Sequence, residues 1–144
     1  MASTTNYNWT TPDDTDLVKD GASAIRSLGS DVDSALFSAA TKEDQNSQTG
    51  TTYTLVIGDA GGLIDLNNAS SITMTVPPNS SVAFPVGTRI NLLQSGAGQV
   101  TVAAGSGVTI NSKDGNLKLT GQWSAATLVQ RSANSWVLIG DLAA

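Results

Sequence analysis

The chain has 144 residues, of which 40% are apolar and only 13% charged, against the roughly 25% charged residues usual in soluble domains. The net charge is −5 and the seven basic residues are scattered, which argues against a protein that coats nucleic acid through clustered Lys and Arg. With no cysteine and no histidine, disulfides and thiolate or imidazole metal sites are excluded.

A surface so poor in charge is covered by Ser, Thr, Asn, Gln and Gly, which suits a chain hidden in an assembly or exposed to harsh solvent. The start carries no basic segment followed by an apolar one, and the longest apolar run, residues 136–139, falls far short of the ~20 residues that span a bilayer. The expectation is a soluble protein made in a cytoplasm, with no membrane and no nucleic acid among its partners.

The opening "MASTTNYNWTTP" is polar, without helical or strand periodicity, and reads as extended or disordered when alone. Its aromatics, Tyr7 and Trp9, either clip onto the protein's own body or anchor in a partner's groove. The next stretch, "TPDDTDLVKDGASAIRSLGSDVDSALFSAA", is a helix candidate. Thr11 or Asp13 can cap it, Pro12 suits its first turn, and Asp13, Asp14 and Asp16 favour its positive end. Val18, Ile25, Val32 and Ala39 recur every seven residues. Gly21, Leu28 and Ala35 fill the second seam position, with Ala22 and Leu36 flanking. Gly21 and Gly29 each weaken the helix by roughly 1 kcal/mol relative to Ala, and an isolated helix of this kind is marginal. The stripe therefore packs either on the chain's own sheet or on symmetry copies in an oligomer. "TKEDQNSQTG", residues 41–50, has no apolar face and reads as a linker. The expected division is an arm and stalk over residues 1–46 and an all-β domain over residues 47–144.

From residue 51 onward the chain reads as strands and turns. "TTYTLVIG", "LIDLN", "SITMTV", "TRINLLQ", "QVTVAA", "VTIN", "LKLTG", "SAATLVQRS" and "SWVLIGDL" are strand candidates. In "SITMTV", Ile72, Met74 and Val76 share one face. Pro77, Pro78 and Pro85 fix a loop, and Phe84 is expected to plug the space beneath it. Asp114-Gly115 carries a hairpin signature, and Ala133-Asn134 marks the last tight turn. About nine short strands at roughly ten-residue spacing predict a mainly β fold, a sandwich or barrel after the helical stalk.

Chemistry is sparse. Asp13, Asp14, Asp16, Asp20, Asp31 and Asp33 are close in sequence but lack the spacing of a calcium loop, and capping explains them better than a metal. Asp59 and Asp65 are the only candidates for an acid/base pair, Asp59 in a turn and Asp65 pointing away from Ile64 and Leu66. No serine has a histidine to activate it, and "GAG" and "GSG" lack the strand-to-helix context of a phosphate loop. The reading is no enzyme, no cofactor and no metal. Trp123 and Trp136, both on strand candidates, are either core residues or a distal binding platform.

The segments "VPPNSSVAFPVGT", "GAGQVTV", "QWSAATL" and "NSWVLIGDL", in this order, resemble the β domain that recurs in virion proteins of tailed bacteriophages. "NWTTPDDTDLVKDGASAIRSLGSDVD" is similar to the front of phage fibre-like and minor structural proteins. The resemblance covers nearly the whole chain. It implies a homotrimeric appendage that decorates the capsid, as a cement or head fibre, or serves as a short tail fibre. Its arm, with Tyr7, Asn8, Trp9 and Pro12, would dock on capsid or tail proteins. Its seam of Val18, Ile25, Leu28, Val32 and Leu36 would trimerise. A tip carrying Trp123 and Trp136 would, in the alternative, bind a host surface glycan or receptor. No long shaft and no depolymerase constellation is present, which counts against a capsule-digesting fibre.

Overall fold

The computed structural model describes residues 2–5, 7–12 and 17–144. It is mainly β with one helix, and it divides into two compact units, Met1–Lys42 and Glu43–Ala144. The sequence reading set that division four residues later.

In the first unit, β1 (Ala2–Ser3) and β2 (Thr10–Thr11) pair antiparallel. The segment read as unstructured is thus a small two-stranded ribbon. Side-chain and backbone hydrogen bonds of Thr4 close it: Trp9 N donates to Thr4 Oγ1 at 3.0 Å, and Thr4 N donates to Trp9 O at 2.9 Å. α1 (Val18–Thr41) is one continuous helix, unbroken at Gly29, because Ala, Ser and Leu around the glycine sustain it. Leu17 stands at its N-cap without a side-chain cap bond. The acidic positions expected to open the helix, Asp13, Asp14 and Asp16, lie outside the described residues. β2 lies beside α1, where Ala24 is buried.

The second unit begins with β3 (Gln45–Gln48), inside the stretch read as a linker. Its amides, rather than apolar side chains, hold it in place. There follow β4 (Thr52–Thr54), a 3-10 turn (Ile57–Asp59), β5 (Leu63–Leu66), β6 (Ile72–Val76), β7 (Arg89–Gln94), β8 (Val100–Ala104) and β9 (Thr109–Ser112). A second 3-10 turn (Lys113–Gly115) leads to β10 (Lys118–Leu119), β11 (Ala125–Ser132), β12 (Ser135–Gly140) and β13 (Leu142–Ala143).

From β3 to β8 the chain alternates between two sheets, and each strand is added parallel to the one two places before it. One sheet has the order β3-β5-β7-β11-β12-β9 and the other β13-β10-β8-β6-β4. The first three turns are thus a flattened coil; antiparallel β10 and β13 finish one sheet, and antiparallel β11 and β12 followed by parallel β9 finish the other. The Asp114-Gly115 turn is a crossover and no hairpin: β9 pairs parallel with β12, while β10 joins the other sheet. Asp114 and Gly115 do adopt the positive φ their types favour, 58° and 72°, but local turn chemistry does not choose the sheet. The Ala133-Asn134 turn does join the hairpin β11–β12.

Both sheets turn one face to a shared core. Ile64, Leu66, Ile72, Met74, Val76, Leu92 and Leu128 are fully buried, in strict alternation along their strands. Phe84 packs edge-on against Trp136 at 5.4 Å and 87°, the plug expected beneath the proline loop. The buried Gln130 amide nitrogen, in the orientation that satisfies its surroundings, donates to Phe84 O and Pro85 O at 2.9 Å each and ties that loop to β11.

Candidate functional site

The structure separates the residues that the sequence singled out. On the arm, Tyr7 is 69% exposed and stacks on half-buried Trp9, with ring centroids 5.0 Å apart and planes 16° apart. Asn8 between them has φ 55°, a left-handed conformation that Asn tolerates better than most residues. The reversal puts both rings on one side, and Pro12 is exposed beyond it. The pair clips onto itself and still presents the Tyr7 ring to solvent.

On α1, Val18 is 96% exposed, Ile25 64% and Leu36 65%, and Leu28 and Val32 are half-buried. At 100° per residue these five fall within a sector of about 80°. Ser23, Ala24 and Ser27, with Thr10, border a small cleft on a neighbouring side of the helix. The seam is thus an apolar stripe, exposed at Val18, Ile25 and Leu36 and half-buried at Leu28 and Val32, while the fully buried Ala24 lies outside it.

The two tryptophans of the β unit part company. Trp136 is 1% exposed and belongs to the core, so it cannot form a distal platform. Trp123 is 70% exposed and sits on a turn before β11, not on a strand. Its φ is 68°, which a bulky residue adopts at an energetic cost of about 1–3 kcal/mol. Its surroundings enforce the conformation. Trp123 N donates to Gln94 O at 2.6 Å, Gln122 Nε2 donates to Ser95 O at 2.9 Å, and Gly121 N donates to Ser124 Oγ at 3.2 Å. Ser95 Oγ in turn donates to Asp65.

The two carboxylates considered for acid/base work are both engaged. Asp59 is 4% exposed: Oδ1 accepts from Asn46 Nδ2 at 2.8 Å, and Oδ2 accepts from Tyr53 Oη at 2.9 Å and from Val56 N at 2.8 Å. Burial first, and the hydrogen bond to Asp59 second, push the Tyr53 hydroxyl up to about 12. Asp65 accepts from Ser95 and, at 3.4 Å, from Gln45 Nε2. The glycines of "GAG" serve packing: a Cβ on Gly98 would overlap the Ser70 carbonyl oxygen, so only glycine lets the two backbones meet. Among the described residues no group of three or more His, Cys, Asp or Glu is placed to hold a metal, and no helix is long and apolar enough to cross a membrane. No family model, no curated protein and no solved structure matches the chain.

Sequence reasoning missed the Asn46–Tyr53–Asp59 cluster. Its one signal was a lone tyrosine close to a polar run, which carries no periodicity.

Proposed function

We propose that the protein is a non-enzymatic structural component of a tailed-bacteriophage particle, a homotrimeric appendage held on capsid or tail proteins by its N-terminal arm. The observation that carries this reading is the apolar stripe of Val18, Ile25, Leu28, Val32 and Leu36 on a 24-residue helix, exposed at three of its five positions. Such a stripe is unfavourable in water and is buried by winding against identical helices. The stacked Tyr7–Trp9 ribbon supplies an anchor of the aromatic kind that interfaces favour. The three donors on buried Asp59 fit a structural role for this carboxylate.

Sedimentation of the full chain at micromolar concentration tests the stalk. A trimer that Ile25→Asp dissociates is expected, and a compact, well-folded monomer of the parent chain would overturn the reading. Deleting residues 2–9 is expected to abolish incorporation into particles while trimers persist. Incorporation at normal copy number would refute the anchoring role.

The exposure and strain of Trp123 favour a second reading, a tip module that stacks on a host surface glycan or receptor. Under that reading Trp123→Gly relieves the left-handed strain, stabilises the fold by about 1 kcal/mol and abolishes cell binding. Unchanged cell binding by this variant would dismiss it.

A further inference from the structure

Strand register fixes the two ends of the β unit. β3, β5 and β7 run parallel, with Gln45, Leu63 and Asn91 level at one end and Gln48, Leu66 and Gln94 level at the other. The chain enters the unit at the first end, where Leu63 N donates to Asp44 O and Asn91 donates to the Glu43 carboxylate. Trp123 lies at the second end, held by its backbone to Gln94 O. The exposed indole thus stands at the end of the β unit remote from the chain's entry.

A cleft of about 480 Å³ opens at this same end. Its size falls within the roughly 300–1,000 Å³ of small-ligand sites. Lys113, Asp114, Asn116, Thr120 and Asp141 border it, and Ile139 is among its apolar walls. Backbone bonds tie it to the Trp123 turn. Thr120 N donates to Asp141 O at 3.1 Å, and Asp141 N donates to Ala125 O at 3.0 Å. Residues 121–124 therefore leave the cleft at Thr120 and return beside Asp141. Asp114 and Trp123 both hold left-handed backbones, with φ 58° and 68°. Strain of this kind gathers where ligands are clamped, and positions already fixed lose little freedom on binding.

The bordering groups select the ligand. The carboxylates of Asp114 and Asp141 only accept hydrogen bonds, the Lys113 ammonium only donates, and Asn116 and Thr120 do both. Hydroxyl groups, which donate and accept at once, satisfy all five. Two carboxylates against one ammonium leave an excess of negative charge that repels an acidic ligand. An apolar peptide segment would desolvate these charges without replacing their water. A saccharide has hydroxyls at its rim for the polar groups and an apolar C–H face for an indole ring.

We propose that this end of the β unit binds an uncharged saccharide, with one sugar in the cleft at Asp114, Asn116 and Asp141 and a neighbouring sugar stacked on Trp123. The proposal rests on the reading of the protein as a tip module and names the ligand of that tip. The full-length chain is applied to a printed array of neutral, sialylated and uronic-acid-bearing oligosaccharides, and binding confined to neutral members is expected. Against the strongest of these, Trp123→Gly is expected to weaken binding about tenfold or more, and so is Asp114→Gly combined with Asp141→Ala. Both carboxylates are exposed and glycine suits the left-handed position, so the unfolding midpoint of the cleft variant should not fall. An array without a neutral binder, or a preference for acidic members, would overturn the proposal. Cell binding that Trp123→Gly still abolishes would in that case leave the tip reading standing, with a receptor that is not a saccharide. Undiminished binding by the cleft variant would overturn the proposal as well, since the indole alone would then hold the sugar.

Discussion

At the scale of single residues, the Asn46–Tyr53–Asp59 cluster sets the largest electrostatic stake in the β unit. A carboxylate buried to 4% exposure is tolerable only when donors replace its lost water, and Asp59 has three. Asp59→Asn keeps the shape but replaces an acceptor oxygen with an amide that faces donors. A loss of about 2–3 kcal/mol is expected in denaturant unfolding. The same cluster gives a pH signature. Because the folded-state pKa of Tyr53 is raised from 10.0 to about 12, the folded chain holds its proton more tightly than the unfolded chain. That stability is fully present below pH 10 and is lost as pH climbs from 10 through 12. Unfolding free energy measured across this window, alongside tyrosinate absorbance, should show the decline. In the Asp59→Asn variant the Tyr53 pKa should move part of the way back toward 10.0, the burial contribution remaining. None of this was legible in the sequence. Asn46 and Tyr53 lie in different strands joined by a polar stretch, and a hydrogen-bonded triangle leaves no period to read.

At the scale of elements, the strands with a clean alternation were readable. Ile72, Met74 and Val76 could be placed on one face from their spacing alone, and all three are fully buried. β3 was not readable, because "QNSQ" offers no apolar position. It is held by parallel pairing with β5 and by the inward amides of Asn46 and Gln48. Trp123 was assigned to a strand because its neighbours have strand propensity. The turn prevails there because Gln94 O and Ser124 Oγ take up backbone donors that a ladder would otherwise use. The helix was readable as a helix, and its glycines were recognised as weak points. A Cβ on Gly29 meets nothing within 4 Å, so Gly29→Ala has only the propensity gain to express. It should raise stability of the helical unit by about 1 kcal/mol, seen as a higher midpoint in far-ultraviolet thermal unfolding. A lower midpoint would place a close neighbour over Gly29 in the assembled protein and so map an edge of the stalk interface.

At the scale of the whole molecule, the decisive feature is that successive strands of the β unit, the hairpin β11–β12 apart, belong to opposite sheets. Neighbours in the sheet are distant in sequence, so register is set by long-range parallel pairing, and single-strand patterns cannot reveal it. The opening strand β3 therefore has consequences that its composition conceals. The core cluster draws on residues 55–138, so a fragment beginning at residue 51 keeps every core side chain. If apolar burial alone governed stability, that fragment and the unit 43–144 would be equally stable. The polar bookkeeping says otherwise. Trimming at residue 51 removes the backbone partners that β3 gives to β5, the Asp44 carbonyl that accepts from Leu63 N at 2.9 Å, and the Gln48 carbonyl that accepts from Asn67 N at 2.9 Å. It also takes away the Asn46 donor from the buried Asp59. Losses of this kind leave polar groups unpaired at the edge of the core, each worth about 1–3 kcal/mol. Fragment 43–144 is expected to unfold cooperatively with the near-ultraviolet signature of the packed Phe84–Trp136 pair. Fragment 51–144 is expected to be weaker by more than about 3 kcal/mol, or to lack that signature at the same temperature. Equal denaturation midpoints for the two fragments would mean that β3 is an ornament on a sandwich complete without it, and that the residues read as a linker act as one.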